Sequence, residues 1–232
     1  MGKNITSQKR GRGSPTFKRP SFNFQGKTKI GKNGSAQIVE LLDCRAHSAP
    51  LARLRYDDNS LSLVIAPEGV RVGQQIEIGG KEIILGNITE LKNIPEGVNV
   101  FNIENTPGDG GCFVKASGTF AKVVAKSNKS VTLLLPSKKQ RDFHPDARAC
   151  IGIVAGSGRK EKPFFKAGRK FHAMKAKNRY WPSVSGTSMN AVDHPFGGRS
   201  SSHKGKPTQA RRNAPPGRMV GMIRPRHSGR NK

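Results

Sequence analysis

The two ends of this 232-residue chain almost lack acidic side chains. Residues 1–36 contain 9 Lys and Arg but no Asp or Glu, and residues 156–232 contain 19 basic residues against 2 acidic ones. Residues 37–155 are nearly neutral, with 14 basic and 13 acidic residues. Like charges packed this densely repel one another until a polyanion neutralises them and releases its counterions. The distribution predicts two cationic arms on a neutral body, with nucleic acid as the polyanion.

Cysteine and long apolar runs are also scarce. The 3 cysteines, Cys44, Cys112 and Cys150, form no CxxC pair, which argues against a zinc site and against a disulfide framework. We therefore expect no metal, no cofactor and three core thiols in a reducing compartment. No window approaches the roughly 18 apolar residues of a membrane span, and the N-terminus lacks the apolar run of a signal peptide. These absences predict a cytoplasmic protein without membrane contacts.

Motifs of nucleotide-binding and catalytic sites are missing as well. Residues 108–111 and 156–160 are rich in glycine but match neither a P-loop nor a dinucleotide fingerprint, so they are interpreted as turns. Asp193 directly precedes His194, and neighbouring side chains of an extended segment point to opposite sides. The spacing alone therefore does not support a catalytic dyad.

The neutral centre consists of short apolar and β-branched runs separated by Gly, Pro, Asn and Asp. The runs within residues 37–85 predict an OB-like barrel, and those within residues 86–160 predict an SH3-like barrel. The predicted strands are 37–42, 51–56, 61–66, 75–78 and 81–85 in the first barrel, and 99–103, 112–115, 119–125, 131–135, 140–143 and 149–154 in the second.

The arms, residues 1–36 and 161–232, are too rich in Gly, Pro, Ser and basic residues to bury a core of their own. Only residues 165–178 show a weak helical periodicity. The predicted fold is therefore all-β, an OB-like barrel followed by an SH3-like barrel, with long extended basic N- and C-terminal arms.

Aromatic residues are interleaved with the basic residues of the arms. Nine aromatic residues lie there, against five in the neutral centre. Lys and Arg neutralise phosphates, while a flat ring stacks on an unpaired base or wedges into an RNA groove. This mixture favours arms that bind folded RNA over arms that are merely disordered linkers with exposed apolar rings.

The residues predicted to contact RNA are cations of the arms, four cations of the barrels and three further residues of the C-terminal arm. In the arms the cations are Lys3, Lys9, Arg10, Arg12, Lys18, Arg19, Arg169, Lys170, Lys175, Lys177, Arg179, Arg199, Lys204, Arg211, Arg212 and Arg218, and Arg159 and Lys160 directly precede the C-terminal arm. In the barrels they are Arg53, Arg55, Lys122 and Lys138, and the further residues are Trp181, Asn190 and His194.

Six separated blocks of the chain carry a family resemblance. They are GNITELKNIPEGVNVFNIENTPGDGG (86–111), SGTFAKVVAK (117–126), VTLLLPS (131–137), RACIG (148–152), GTSMNAVDHPFGG (186–198) and RNAPPGRMVG (212–221). In this order they resemble the universal large-subunit ribosomal protein two family over most of the chain. Bacterial members commonly have a second His where this chain has Phe196, and the form with Phe and RNAPPGR looks archaeal or eukaryotic.

The resemblance implies both barrels, with the arms threaded through large-subunit ribosomal RNA and the segment 191–198 near the peptidyl-transferase region. It also implies a structural role in the large ribosomal subunit, supporting assembly, subunit association and tRNA binding. The implied partners are ribosomal RNA, neighbouring ribosomal proteins and, at the interface, tRNA and the small subunit.

Two alternatives stay open at this stage. In one, His194 acts as general acid or base in peptidyl transfer, and in the other the chain is a free-standing RNA chaperone. The sequence places no oxyanion donor or nucleophile beside this lone imidazole, which favours a non-enzymatic role in contacting RNA and fixing a local fold.

Overall fold

The chain divides into two compact units, one formed by residues 21–165 and the other by residues 1–20 together with 166–232. We call them the β unit and the arm unit. The structure, a computed structural model, describes residues 2–13, 17–18, 24–198, 208–211, 213–214 and 220–223.

The β unit contains one continuous sheet of 10 strands in the order β3-β2-β1-β4-β5-β10-β6-β7-β8-β9. The strands are β1 (Gly34–Leu42), β2 (Leu51–Tyr56), β3 (Leu61–Ile65), β4 (Gln75–Ile78), β5 (Ile88–Glu90), β6 (Asn99–Phe101), β7 (Ala121–Lys126), β8 (Val131–Leu134), β9 (Gln140–Phe143) and β10 (Arg148–Ile151). Strands β4 and β5 pair in parallel, and the other neighbours pair antiparallel. The all-β prediction is confirmed.

Alternating polarity explains why several of these runs form strands. In β4, Ile76 and Ile78 are buried while Gln75 and Glu77 are exposed, because successive side chains of a strand point to opposite faces. A turn at Asp57-Asp58-Asn59 joins β2 to β3, and Asn59 adopts the positive φ of 60° that this residue type tolerates.

Residues 81–85 do not form the strand that their apolar character predicts. The amide of Glu77 in β4 donates instead to the side-chain oxygen of Asn87 at 3.0 Å, and the next pairing of β4 is with β5. Ile84 is left exposed. Three consecutive apolar residues do not alternate, so this segment has no single face to bury.

Residues 112–115 are also not a strand. They make a single bridge from Phe113 to Ile103, because the positive φ of Val114, 53°, interrupts the extended conformation.

The described parts of the arms are not uniformly extended. Helix α1 (Thr6–Gly11) lies in the N-terminal arm, where no helix was expected. Helix α2 (Ala167–Ala176) lies within the stretch of weak periodicity. A short parallel pair, β11 (Gln209–Ala210) and β12 (Met222–Ile223), lies near the end of the described chain.

Two apolar clusters form the core of the β unit, and β10 contributes to both. Cys150 packs in the cluster that contains Leu51 and Leu54 of β2, whereas Ile151 packs in the cluster that contains Leu133 of β8. The division into barrels at residues 37–85 and 86–160 stays a prediction, because a strand late in the chain serves both clusters.

A buried ion pair joins the start of β10 to the loop that precedes β7. The side chain of Glu104 is 0% exposed, and the Nη2 group of Arg148 lies 2.8 Å from its Oε1. Glu104 also accepts hydrogen bonds from the backbone N–H groups of Gly108, Gly110 and Arg148 at 3.0–3.1 Å. The carboxylate is thus compensated in charge and in hydrogen bonds, as a buried ion requires.

The same arginine holds the segment that leads into β1. Its Nη1 group donates to the carbonyl oxygen of Gly31 at 2.9 Å and to the side-chain oxygen of Asn33 at 3.1 Å. Gly110 is needed where this segment crosses the loop, because a Cβ there would lie 2.2 Å from Cγ of Lys29.

We expect Glu104→Gln to lower the free energy of unfolding by about 3–5 kcal/mol, because it leaves the buried guanidinium of Arg148 without its counter-charge. The matched control is Glu40→Gln, which breaks the half-exposed pair with Arg53 and should cost about 0–1 kcal/mol. Urea unfolding of the full chain, followed by far-ultraviolet circular dichroism, measures both. If both variants lost the same free energy of unfolding, the buried Glu104–Arg148 pair would be no more important for stability than the half-exposed pair.

The pair should also make stability depend on pH. Burial raises the pKa of Glu104, but the hydrogen bonds from Arg148 and from the loop backbone lower it by more, so the pKa lies below its ordinary value of 4.5. This stabilisation is therefore complete above pH 4.5 and disappears as the pH falls through the folded-state pKa. Urea unfolding at a series of acidic pH values should show that loss in the wild type and a smaller one in Glu104→Gln.

Candidate nucleic-acid interface

The arm unit carries its charge almost without compensation. Its described residues include twelve Lys and Arg side chains and a single carboxylate, that of Asp193. In the β unit, by contrast, Arg53 lies 2.7 Å from Glu40 and Lys92 lies 2.7 Å from Asp146. The positive potential of the molecule is therefore concentrated on the arm unit.

Helix α2 displays cations and a ring without burying any residue. Arg169, Lys170 and Lys175 lie on it, and Phe171 is 42% exposed. The ammonium group of Lys170 sits 5.4 Å from the ring centroid of Trp181, a cation–π contact. A helix of this length is marginal alone in water, so its surface suits an external partner.

A small apolar cluster joins three distant parts of the chain. Ile5 before α1, Phe196 and Val220 bury their side chains together. The backbone N–H of Lys3 donates to the carbonyl oxygen of Val192 at 2.8 Å, so the N-terminal segment lies directly against the segment 186–198. Sequence reasoning missed this cluster, and an isolated Ile in a basic stretch was the only signal for it.

The segment 186–198 closes on itself through its backbone. The N–H of His194 donates to the carbonyl oxygen of Asn190 at 3.1 Å, and that of Gly198 donates to Met189 at 3.0 Å. A Cβ on Gly197 would lie 2.3 Å from the oxygen of Met189. Glycine is required here because the backbone packs against itself.

His194 is a structural member of this segment. Its Nδ1 accepts a hydrogen bond from the backbone N–H of Phe196 at 3.1 Å, which places the imidazole proton on Nε2. A Cβ on Gly186 would lie 2.4 Å from the ring. The carboxylate of Asp193 pairs with the ammonium group of Lys3, whose nitrogen lies 3.4 Å from Oδ1. Burial lowers the pKa of His194 below its ordinary value of 6.5.

The structure brings most of the predicted RNA-contacting residues to the arm unit. These are Lys3, Lys9, Arg10, Arg12, Lys18, Arg169, Lys170, Lys175, Lys177, Arg179, Trp181, Asn190, His194 and Arg211. The β unit holds Arg53, Arg55, Lys122, Lys138, Arg159 and Lys160. Arg19, Arg199, Lys204, Arg212 and Arg218 lie outside the described residues.

The cations of the β unit differ in availability. Arg55 donates to the side-chain oxygen of Gln37 at 3.2 Å, and Arg159 donates to the hydroxyl group of Ser117 at 2.9 Å. Lys122 and Lys138 are exposed. These two lysines are accessible to a phosphate.

Within the described residues, no group of His, Cys, Asp and Glu could hold a metal ion. None of the helices in that part of the chain is long and apolar enough to cross a membrane.

Fold and charge together define the class, a β protein that carries its positive charge on two arms. Residues 84–218 match the family described as Ribosomal Proteins L2, C-terminal domain. The chain is 48% identical over 234 residues to the large ribosomal subunit protein uL2 of Archaeoglobus fulgidus, covering 99% of each chain. It is 48% identical over 242 residues to that of Methanocaldococcus jannaschii, covering 100% of each. The chain belongs to the uL2 family, and these relatives are archaeal, which confirms the archaeal or eukaryotic type of the resemblance.

The hydrogen bond to His194 predicts a pH-dependent opening of the segment 186–198. Because the folded pKa is lowered, the unfolded state binds more protons, and stability is lost as the pH falls below 6.5 through the folded-state pKa. Hydrogen exchange at the Phe196 amide should therefore accelerate on acidification, after correction for intrinsic exchange.

His194→Asn is the matched control, because its side-chain oxygen can accept the same hydrogen bond but does not titrate. Protection in this variant should be retained and should not change with pH. An identical pH response in both proteins would contradict the role of the imidazole.

Proposed function

We propose that this chain is a structural, ribosomal-RNA-binding constituent of the large ribosomal subunit. The observation that carries the proposal is the charge of the arm unit, whose described residues include twelve basic side chains and one carboxylate. Its relatives are named as large-subunit ribosomal proteins, which supports the same assignment. A polyanion is the partner that removes this repulsion and gains free energy by releasing counterions.

Bound RNA would cover side chains that the protein alone leaves exposed. Helix α2 buries no residue of its own, and the rings of Phe171 and Tyr180 are exposed beside the arm cations. Phosphates neutralise the cations, and unpaired bases cover the rings. The β unit, whose residues 37–155 are nearly neutral, adds a docking surface, with Lys122 and Lys138 exposed on it.

The segment 186–198 has a structural role and not a catalytic one. Its backbone hydrogen bonds and its packing against Ile5 suit an architectural contact in the RNA interior, near the peptidyl-transferase region. Nδ1 of His194 is occupied by the Phe196 amide, and this favours a non-enzymatic role. In this role the protein supports subunit assembly, subunit association and tRNA binding.

Salt dependence of RNA binding tests the proposal. We expect log Kd of the full chain for an archaeal large-subunit rRNA transcript to rise steeply with log salt. Changing Arg169, Lys170 and Lys175 of α2 together to Gln should reduce the slope by about 2–3, because each phosphate contact contributes roughly 0.7–0.9. Filter binding over a series of salt concentrations measures the slopes.

The control changes Lys81, Lys129 and Lys139 of the β unit to Gln, which lowers net charge equally. Its slope should stay within about one unit of the wild-type value. If both triple variants reduced the salt slope equally, binding would depend on net charge alone and not on where the charge lies. The proposal that the arm unit forms the main RNA interface would then be wrong.

A further inference from the structure

Two grooves of the arm unit share one wall, the side chain of Tyr180. The first, about 390 Å³, is lined by Arg10, Phe17, Lys177, Arg179 and Tyr180. The second, about 400 Å³, is lined by Asn4, Asn190, Asp193 and Tyr180 among others. Both volumes fall in the roughly 300–1,000 Å³ range of small-ligand sites. We call them the cationic groove and the amide groove.

The cationic groove has the chemistry of a phosphate site. Arg10, Lys177 and Arg179 supply positive charge with many N–H donors, and Arg10 lies 6.0 Å from the ring of Phe17. The side-chain amide of Asn178 donates to the carbonyl oxygen of Lys18, which holds the two arms together along this groove.

The amide groove differs in having hydrogen-bond acceptors. It contains Asp193, the single carboxylate among the described residues of the arm unit, together with the amides of Asn4 and Asn190. The carboxylate is held in place, because Lys3 lies 3.4 Å from its Oδ1 and the Asp193 amide donates to Asn190 at 3.0 Å. Lys9 also lines this groove, so charge alone does not select against a phosphate here. The carboxylate and the amide oxygens are acceptors, and they attract a group rich in N–H donors.

Tyr180 connects the two chemistries. Its ring is 46% exposed and forms a wall of both grooves, so it can stack on a flat ligand in the amide groove while the ligand's charged part lies in the cationic groove. A nucleotide has both parts, a flat base and a charged phosphate. RNA-binding proteins commonly read unpaired bases by stacking and by hydrogen bonds to the Watson–Crick edge.

We infer that these grooves form a subsite for one extruded guanine nucleotide of the bound RNA. Guanine presents its N1–H and N2–H groups side by side, which matches the two oxygens of the Asp193 carboxylate. Adenine and cytosine place a ring acceptor nitrogen beside the amino group, and uracil flanks its N–H with two carbonyl oxygens, so each meets the carboxylate less well. The inference rests on the proposed function and specifies where the RNA is read.

The test uses the full chain with RNA hairpins that differ only in one bulged nucleotide, G, A, C or U, and an unbulged hairpin. We expect the wild type to bind the G-bulged hairpin roughly tenfold more tightly than the U-bulged one, the order expected of a bidentate contact. Asp193→Asn should lose this preference and shift it toward A, because an amide both donates and accepts. Equal binding of all four bulges by the wild type would overturn the inference.

Further variants separate the base contact from local folding. Lys3→Ala breaks the ion pair but keeps the carboxylate, so the ratio between G and U should persist. Tyr180→Phe should keep it as well, whereas Tyr180→Ala should reduce binding of the G-bulged hairpin to that of the unbulged one. Loss of the ratio in Tyr180→Phe, or its persistence in both Asp193→Asn and Tyr180→Ala, would overturn the inference.

The outcome distinguishes this subsite from the proposed function. Steep salt dependence without any base preference leaves rRNA binding intact and removes the guanine subsite alone. Failure to bind any hairpin or the rRNA transcript at low salt would overturn the proposed function itself.

Discussion

The buried pair of Glu104 and Arg148 is the interaction on which the β unit depends. One guanidinium reaches the carboxylate of the 104–110 loop, the carbonyl oxygen of Gly31 and the side chain of Asn33. Strand β10, which begins at Arg148, then contributes side chains to both apolar clusters. Because a buried charge tolerates few arrangements, this network holds the entry to β1, the loop and the sheet in one geometry.

Charge is handled differently in the two units. In the β unit, cations meet carboxylates at close range, and the apolar clusters supply the stability. In the described part of the arm unit, the apolar cluster contains three side chains, including that of Ile5, and the backbone of the segment 186–198 packs closely against itself. Such a unit keeps its local shape while its surface retains the uncompensated charge that a polyanion neutralises.

Sequence patterns predicted those elements whose own residues contain the signal. The alternation in Gln75–Ile78 was sufficient for β4, and weak periodicity was sufficient for α2. The apolar run at 81–85 does not form a strand, because the Glu77 amide of β4 bonds to the side chain of Asn87 and β4 pairs with β5 instead. Residues 81–85 themselves give no sign of these other pairings. The position of Ile5 against Phe196 was beyond prediction for the same reason, since nearly two hundred residues separate them.

The sequence by itself determined the all-β class, the family and the cationic character of the arms, because strand periodicity and charge are properties of residue types in order. Only the tertiary structure decided which cations pair with carboxylates and which nitrogen of His194 accepts a hydrogen bond. It also decided which groups surround the carboxylate of Asp193. It also joined the two ends of the chain, so that Lys3 meets Asp193. Most of these features depend on contacts between residues that are far apart in the chain. Packing of the folded chain sets such contacts, so they cannot be derived from the order of residues alone.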